Sequence, residues 1–263
     1  MNPADVVVAV AGAALGVDVQ AEVAGTVVEA GEAAKEWLGR RVVVPRILSC
    51  GDCAACRRGR VAHCPARATR AGLAERETVG ARWLANVEPP LWPDGVELWQ
   101  LAALADAALA PYTALSRAGV GPGDRVVVVG RDARARFAAA IAIAKGATVE
   151  EDASAGAIVL AAGPADYARA LSLVAPGVTL VLLDGAPALP PLATDWSALV
   201  AAEAHVLGAV GGHPDLLPEL CALVVRGQLR LGDQVRRVAL ADAEQAHAAY
   251  LADGGALPIA IPA

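Results

Sequence analysis

The sequence predicts an α/β protein, with a β-rich first part followed by a parallel sheet. Alternating or continuous β-branched runs fill the first 45 residues. From about residue 125 the pattern becomes strand, helix, strand, which indicates a parallel sheet covered on both faces. With 263 residues, 56% of them hydrophobic, the chain can bury a large core and has room for one large or two modest domains.

The β-rich part opens on DVVVAV and closes on RRVVVP, just before a cysteine-rich stretch at 49–65. Beyond it, strand-like DRVVVVG (124–130) leads into helical ARARFAAAIAIAKG (133–146), and AIVLAAG (157–163) into YARALSLVAPG (167–177). VTLVLLDG (178–185) and AHVLGAV (204–210) read as two further strands, and PDLLPELCALVVRG (214–227) as a helix. PALPPLATD (187–195) is a proline-rich connection. No internal repeat and no low-complexity linker is present.

Composition excludes some partners. A net charge of −6 offers no concentrated positive patch for nucleic acid or anionic lipid, although 22 residues are basic, all but two of them arginine. MNPADVVVAV has no basic region before its apolar run and so lacks the pattern of a signal peptide. Glycine, proline or charge interrupts every long apolar stretch, so no membrane span is expected. The expected location is the cytoplasm, where thiols stay reduced and clustered cysteines suggest a metal more than disulfides.

Four of the five cysteines fall in SCGDCAACRRGRVAHCP (49–65), spaced Cys50-x2-Cys53-x2-Cys56-x7-Cys64. Two-residue gaps let thiolates on a tight turn converge on one ion, with Gly51 and Gly59 helping the backbone round it. Four thiolates fill a tetrahedral zinc shell and leave no position for water or substrate, so such a site is structural. An iron–sulfur cluster, whose usual spacings differ, and unligated thiols are weaker alternatives. His63 could also replace Cys64 as ligand. Cys221, at helical apolar spacing in PELCALVV, reads as a small core residue.

With RRVVVP before it, the cysteine run resembles the structural zinc lobe of the zinc-containing alcohol dehydrogenases, in the medium-chain dehydrogenase/reductase superfamily. AEVAGTVVEAGEAAKEWLGRRVVVP (21–45) looks like the segment leading into that lobe. ADAALAPYTALSRAGVGPGDRVVVVG (105–130) resembles its hinge helix and first nucleotide-domain strand, in particular those of the cyclohexenyl-carbonyl-CoA dehydrogenase branch. The segments from 164 onward follow the family's closing elements. The resemblance implies a GroES-like domain at 1–118, completed by 240–263, and a Rossmann-like domain at 119–239.

Against that family several parts are missing. Where the resemblance places the first catalytic zinc ligand stands Gly16, with Val17 at a proton-relay position; Ala21 takes the place of the second ligand, a histidine, and only Asp106, at the third, could bind metal. The dinucleotide motif G-x-G-x-x-G reads Gly130-Arg131-Asp132-Ala133-Arg134-Ala135, which puts a carboxylate where a diphosphate would lie. After AKGATVEEDASAG the chain passes directly to a segment resembling the family's fourth strand, so the adenosine-binding half is expected to be absent, with Glu150 and Glu151 as solvated loop charges. Arg131, Arg134 and Arg136 read as a solvated helical face, or as an anion acceptor for a CoA phosphate. His205, His213 and His247 have no spacing that rescues an enzyme reading.

The expectation is therefore a catalytically degenerate relative with one structural zinc and no NAD(P). It would act as a structural or regulatory partner in a homo- or hetero-oligomer, pairing through the sheet edge around 178–210 with an active dehydrogenase paralogue. The competing expectations are an NAD(P)-dependent alcohol dehydrogenase with an altered site, and a repurposed enzyme or acyl-CoA binder.

Overall fold

The structure, a computed structural model, describes residues 1–16, 22–45, 47–69, 73–88, 94–105, 107–183 and 196–262. The chain divides into two compact units, one formed by 1–109 with 213–263 and the other by 110–212. Val17, Ala21, Asp106 and the proline-rich 187–195 lie outside the described residues.

The first unit is built on strands β1 (Asp5–Ala14), β2 (Glu22–Ala30), β3 (Arg41–Val44), β6 (Arg76–Gly80), β7 (Ala85–Asn86), β13 (Val235–Ala239) and β14 (Leu257–Ile261). They form one sheet in the order β13-β14-β1-β2-β3-β7, with β6 also paired to β1. β1 shows why a valine-rich run becomes a strand: Val6, Val8 and Val10 point inward, while alternate residues are only half-buried. Val23, Val27, Val42, Val44 and Val79 complete that core. Irregularities between Val7 and Val8 and between Val10 and Gly12 bend the β1–β2 pair. A small hairpin of β4 (Ile47–Leu48) and β5 (Ala68–Thr69) brackets the cysteine run, which holds helix α1 (Ala54–Arg57). Helices α6 (Leu217–Val225) and α7 (Ala243–Asp253) also belong to this unit.

The units divide at 109/110 and at 212/213. Within the first unit, β13 lies parallel to β14, from Val235↔Leu257 to Ala239↔Ile261, and so belongs to its sheet.

After α2 (Leu109–Arg117), the second unit runs β8 (Arg125–Val129), α3 (Ala133–Ala144), β9 (Thr148–Glu150), β10 (Ile158–Ala161), α4 (Tyr167–Leu171), β11 (Thr179–Leu183), α5 (Trp196–Ala201) and β12 (His205–Ala209). Its five strands are all parallel, ordered β12-β11-β10-β8-β9.

This order corrects one expectation. A second strand does form before the fourth-strand segment: β9 pairs with β8 through Arg125↔Thr148, Val126↔Val149 and Val127↔Glu150. No further strand follows it among the described residues before β10. Residues 151–157 carry the chain past β8 without a helix, although parallel connections ordinarily take about a dozen residues or more. The link is feasible because both its ends lie near one level of β8: Glu150 sits opposite Val127 and Ile158 opposite Val126. Ala153, in that link, packs on a core of Val127, Val159, Ala161, Tyr167, Val178 and Leu180. Tyr167 is fixed there by its hydroxyl, which donates to the Leu183 carbonyl at 2.8 Å.

Candidate metal centre and the family's active-site positions

The cysteine run is wound by its own backbone. Cys53 caps α1, its sulfur accepting the N–H of Cys56 at 3.5 Å. The Cys50 sulfur accepts the Cys53 N–H and the Cys64 sulfur accepts the Cys50 N–H, both at 3.4 Å. Gly51 and Gly59 take φ of +80° and +70°, the left-handed conformation that lets the chain reverse between ligands. Outside the loop, Trp83 Nε1 donates to the Ser49 carbonyl at 2.8 Å and ties the lobe to the rest of its unit.

These bonds bring all four sulfurs within 4.8 Å of one another. Sulfurs at ~2.3 Å from a tetrahedral ion stand about 3.8 Å apart. Cys50 and Cys56 are separated by 3.9 Å and Cys53 and Cys56 by 3.5 Å, so the donor set fits. Backbone N–H groups, first of Cys53 and then of Asp52, hold the Cys50 thiol down at about 6, while desolvation and then the Cys53 thiol push Cys56 up to about 11. The Cys50 thiolate is thus ready at neutral pH, and Cys56 must give up its proton to a metal. His63 is exposed and outside the cluster, whereas Cys64 is buried within it. Cys221 is buried in α6, and burial pushes its thiol up to about 12, as suits an inert core residue.

Gly51 makes the local strain testable. A methyl group there meets open space, so Gly51→Ala acts only through its φ, at a cost of roughly 1–2 kcal/mol. Denaturant unfolding of the metal-loaded protein should show that loss, with no change in metal stoichiometry.

A cavity of about 580 Å³ adjoins the lobe, lined in part by Cys50, Cys56, Trp83, Asn86, His213 and Asp215. His213 caps the turn leading into α6, Nδ1 accepting the Asp215 N–H at 3.2 Å. A methyl group on Gly59 would stand 3.0 Å from the His213 ring, so the turn leading into α6 packs against the metal lobe.

Among the described residues, the four cysteines are the one group of three or more His, Cys, Asp or Glu side chains placed to hold an ion. Gly16 offers only backbone: its carbonyl lies 3.0 Å from Nε2 of the buried His247. His205 is exposed on β12.

At the nucleotide position, Asp132 caps α3, its Oδ1 accepting the Ala135 N–H at 3.0 Å. Arg134 departs from the solvated face expected of it. It is only 9% exposed and holds Asp132 Oδ2 through Nε at 3.2 Å. Sequence reasoning also passed over Asp166, whose carboxylate reaches back to Gly130. Its only signal was a place just past the strand-like AIVLAAG, where open sheets gather their functional groups. Glu150 ends β9 and accepts the Ser154 hydroxyl at 3.3 Å.

A GroES-like β unit with a four-cysteine lobe and a unit built on a parallel Rossmann-like sheet are the two parts of the zinc-type alcohol dehydrogenase fold. Residues 1–89 match the alcohol dehydrogenase GroES-like domain. A thermostable alcohol dehydrogenase from Pyrobaculum aerophilum is similar over 99% of this chain and 92% of its own, with 22% identity and a TM-score of 0.82. The same enzyme with cobalt and zinc bound gives 0.83 at the same identity and coverage. A zinc-binding dehydrogenase from Sinorhizobium meliloti, bound to NADP, shares 20% identity over 100% of this chain and 93% of its own, with a TM-score of 0.83. No curated protein matches the sequence.

Proposed function

We propose that this chain is a catalytically silent relative of the zinc alcohol dehydrogenases, holding one structural zinc and serving as a structural or regulatory partner of an active enzyme. Cys50, Cys53, Cys56 and Cys64 would hold the ion, which would fasten the loop and do no chemistry, since four thiolates leave it no open position. The observation that carries the reading is the start of α3. The Ala135 N–H, at the helix start where a dinucleotide's pyrophosphate would lie, is taken by the chain's own Asp132 carboxylate, whose charge opposes a diphosphate there. Gly16 supports the same conclusion, having no side chain to bind a catalytic metal. The resemblance to the cyclohexenyl-carbonyl-CoA branch rests on residues 105–130.

The partner surface in this reading is β12. Among the described residues it is an edge strand of the parallel sheet, with no strand paired along its outer side. Val206 and Val210 stand 50% and 41% exposed, and Trp196 and Val200 of α5 are exposed as well. A cytosolic setting, with thiols kept reduced, accompanies the reading.

Titration of the purified protein with NADH and NADPH tests it. No saturable binding is expected below about 100 µM, a threshold equivalent to roughly 5.5 kcal/mol. Oxidation of an alcohol with NAD by this chain alone would overturn the proposal. Val206→Lys is expected to weaken self-association or partner capture at least about tenfold in sedimentation experiments, because an edge lysine opposes strand pairing.

A further inference from the structure

We propose that the arginines of the cysteine lobe, Arg57, Arg58, Arg60 and Arg67, form a binding surface for the phosphate backbone of nucleic acid. The proposal goes beyond the functional reading above and rests on a different part of the chain from the nucleotide position.

The net charge of −6 conceals a local reversal, and the patch that it seemed to exclude is present. From Cys53 to Ala74 the chain has no acidic residue, although 28 are spread over the whole sequence, and that stretch holds five arginines and a histidine. Arg70 lies outside the described residues; the other four arginines and His63 are exposed. Two of the four have a task in the lobe itself. Arg57 donates through a terminal nitrogen to the Asp52 carbonyl, and Arg67 does the same to the Ala62 carbonyl, so each laces the turn it belongs to. A guanidinium carries five N–H donors, and one such bond leaves the rest for a ligand. Among the described residues no carboxylate pairs with any of the four, and the side chains of Arg58 and Arg60 make no hydrogen bond in the lobe. The cysteine turns gather these cations. α1 ends at Arg57, Gly59 reverses the chain at φ +70°, and the Arg60 N–H returns to the Ala55 carbonyl at 2.8 Å.

Electrostatics favours an anion at this surface. An ion held by four thiolates carries two negative charges, but Cys56 and Cys64 are buried, and the N–H groups of Cys50, Cys53 and Cys56 point at the sulfurs. An approaching ligand therefore meets the guanidiniums first. At physiological salt, acidic groups more than about 8 Å away are largely screened, so the local excess decides.

The same surface selects a phosphate backbone over an acidic protein. Protein interfaces are anchored by aromatic or large aliphatic side chains in a dry centre. Here the exposed neighbours of the arginines are Ala54, Pro65, Ala66, Ala68 and Thr69, Val61 is buried, and none of the exposed large apolar side chains lies in the lobe. Phosphate binding needs no such anchor, since it gains from counterion release, and the planar guanidinium fork matches phosphate oxygens.

Fluorescence anisotropy of the zinc-loaded full chain, with a labelled DNA duplex of about 20 base pairs and with a single-stranded RNA of that length, is the test. Duplex binding is expected in the micromolar range at about 50 mM salt, falling on the order of a hundredfold by about 200 mM, because four phosphate contacts give a log–log slope near about −3.6. The tighter of the two probes identifies which form the lobe takes. Arg58→Gln combined with Arg60→Gln should halve that slope and weaken binding at least about tenfold at the lower salt, with zinc content unchanged. Arg226→Gln combined with Arg230→Gln removes the same charge from exposed positions outside the lobe and should leave the slope as it was. If the lobe double variant loses zinc, Arg60→Gln alone should still lower the slope by about 0.9. Absence of saturation by either nucleic acid below about 1 mM at the lower salt would overturn the proposal, as would a slope that the lobe variants share with wild type. Polyglutamate binding as tightly as the duplex would also overturn it, in favour of an acidic polypeptide.

Discussion

Cys56→Ser combined with Cys64→Ser is expected to take zinc content from about one ion per chain to less than about 0.1, read by atomic emission on dialysed protein. These are the two buried ligands, so their loss removes the inner half of the shell. Structural zinc contributes about 10–16 kcal/mol of apparent binding in small zinc-folded peptides, far more than the short hairpin and single-turn helix of this lobe could replace. The valine core around β1 does not depend on the loop and should survive. Limited proteolysis should therefore cut within 49–69 while the far-ultraviolet spectrum stays close to wild type. A variant that retains a full equivalent of zinc would remove the assignment.

Phe137→Ala is expected to cost ~3–5 kcal/mol in denaturant unfolding. Phe137 is the largest of the fully buried side chains and sits mid-way along α3, the helix between β8 and β9. Its fellow helix residues facing inward are mostly alanine, with Ile141 one turn on, so little can move in to close the gap. In an α-helix the side chains at i and i+4 share a face, and the Phe137–Ile141 pair is what that face has for bulk. A loss below about 1 kcal/mol would mean that the sheet face collapses onto the helix, against the close packing expected of a core.

The cysteine lobe was legible because its signal is local. Fifteen residues contain the ligands, the turn glycines and the spacing, and the fold brings them together as written. The parallel strands were legible for a similar reason, since runs such as RVVVV and IVLA announce themselves without knowledge of their neighbours. What could not be read depended on distant partners. β9 is three residues long and becomes a strand only because β8 offers it an edge. The membership of β13 in the first sheet rests on β14, whose paired residues lie 22 positions further on, as in Val235↔Leu257. Arg134 looked like a solvated helix residue because charge is normally exposed; its burial follows from Asp132 and Gly163, the latter some thirty residues further on.

The two borders of the parallel sheet are unlike. On one side β9 presents three residues, among them Thr148 and Glu150, too short and too polar to recruit a strand. On the other, β12 presents five residues with exposed valine. Growth from one adhesive side ends as soon as two such sides meet, giving a closed pair related by a twofold axis; only a molecule sticky at both borders extends into a filament.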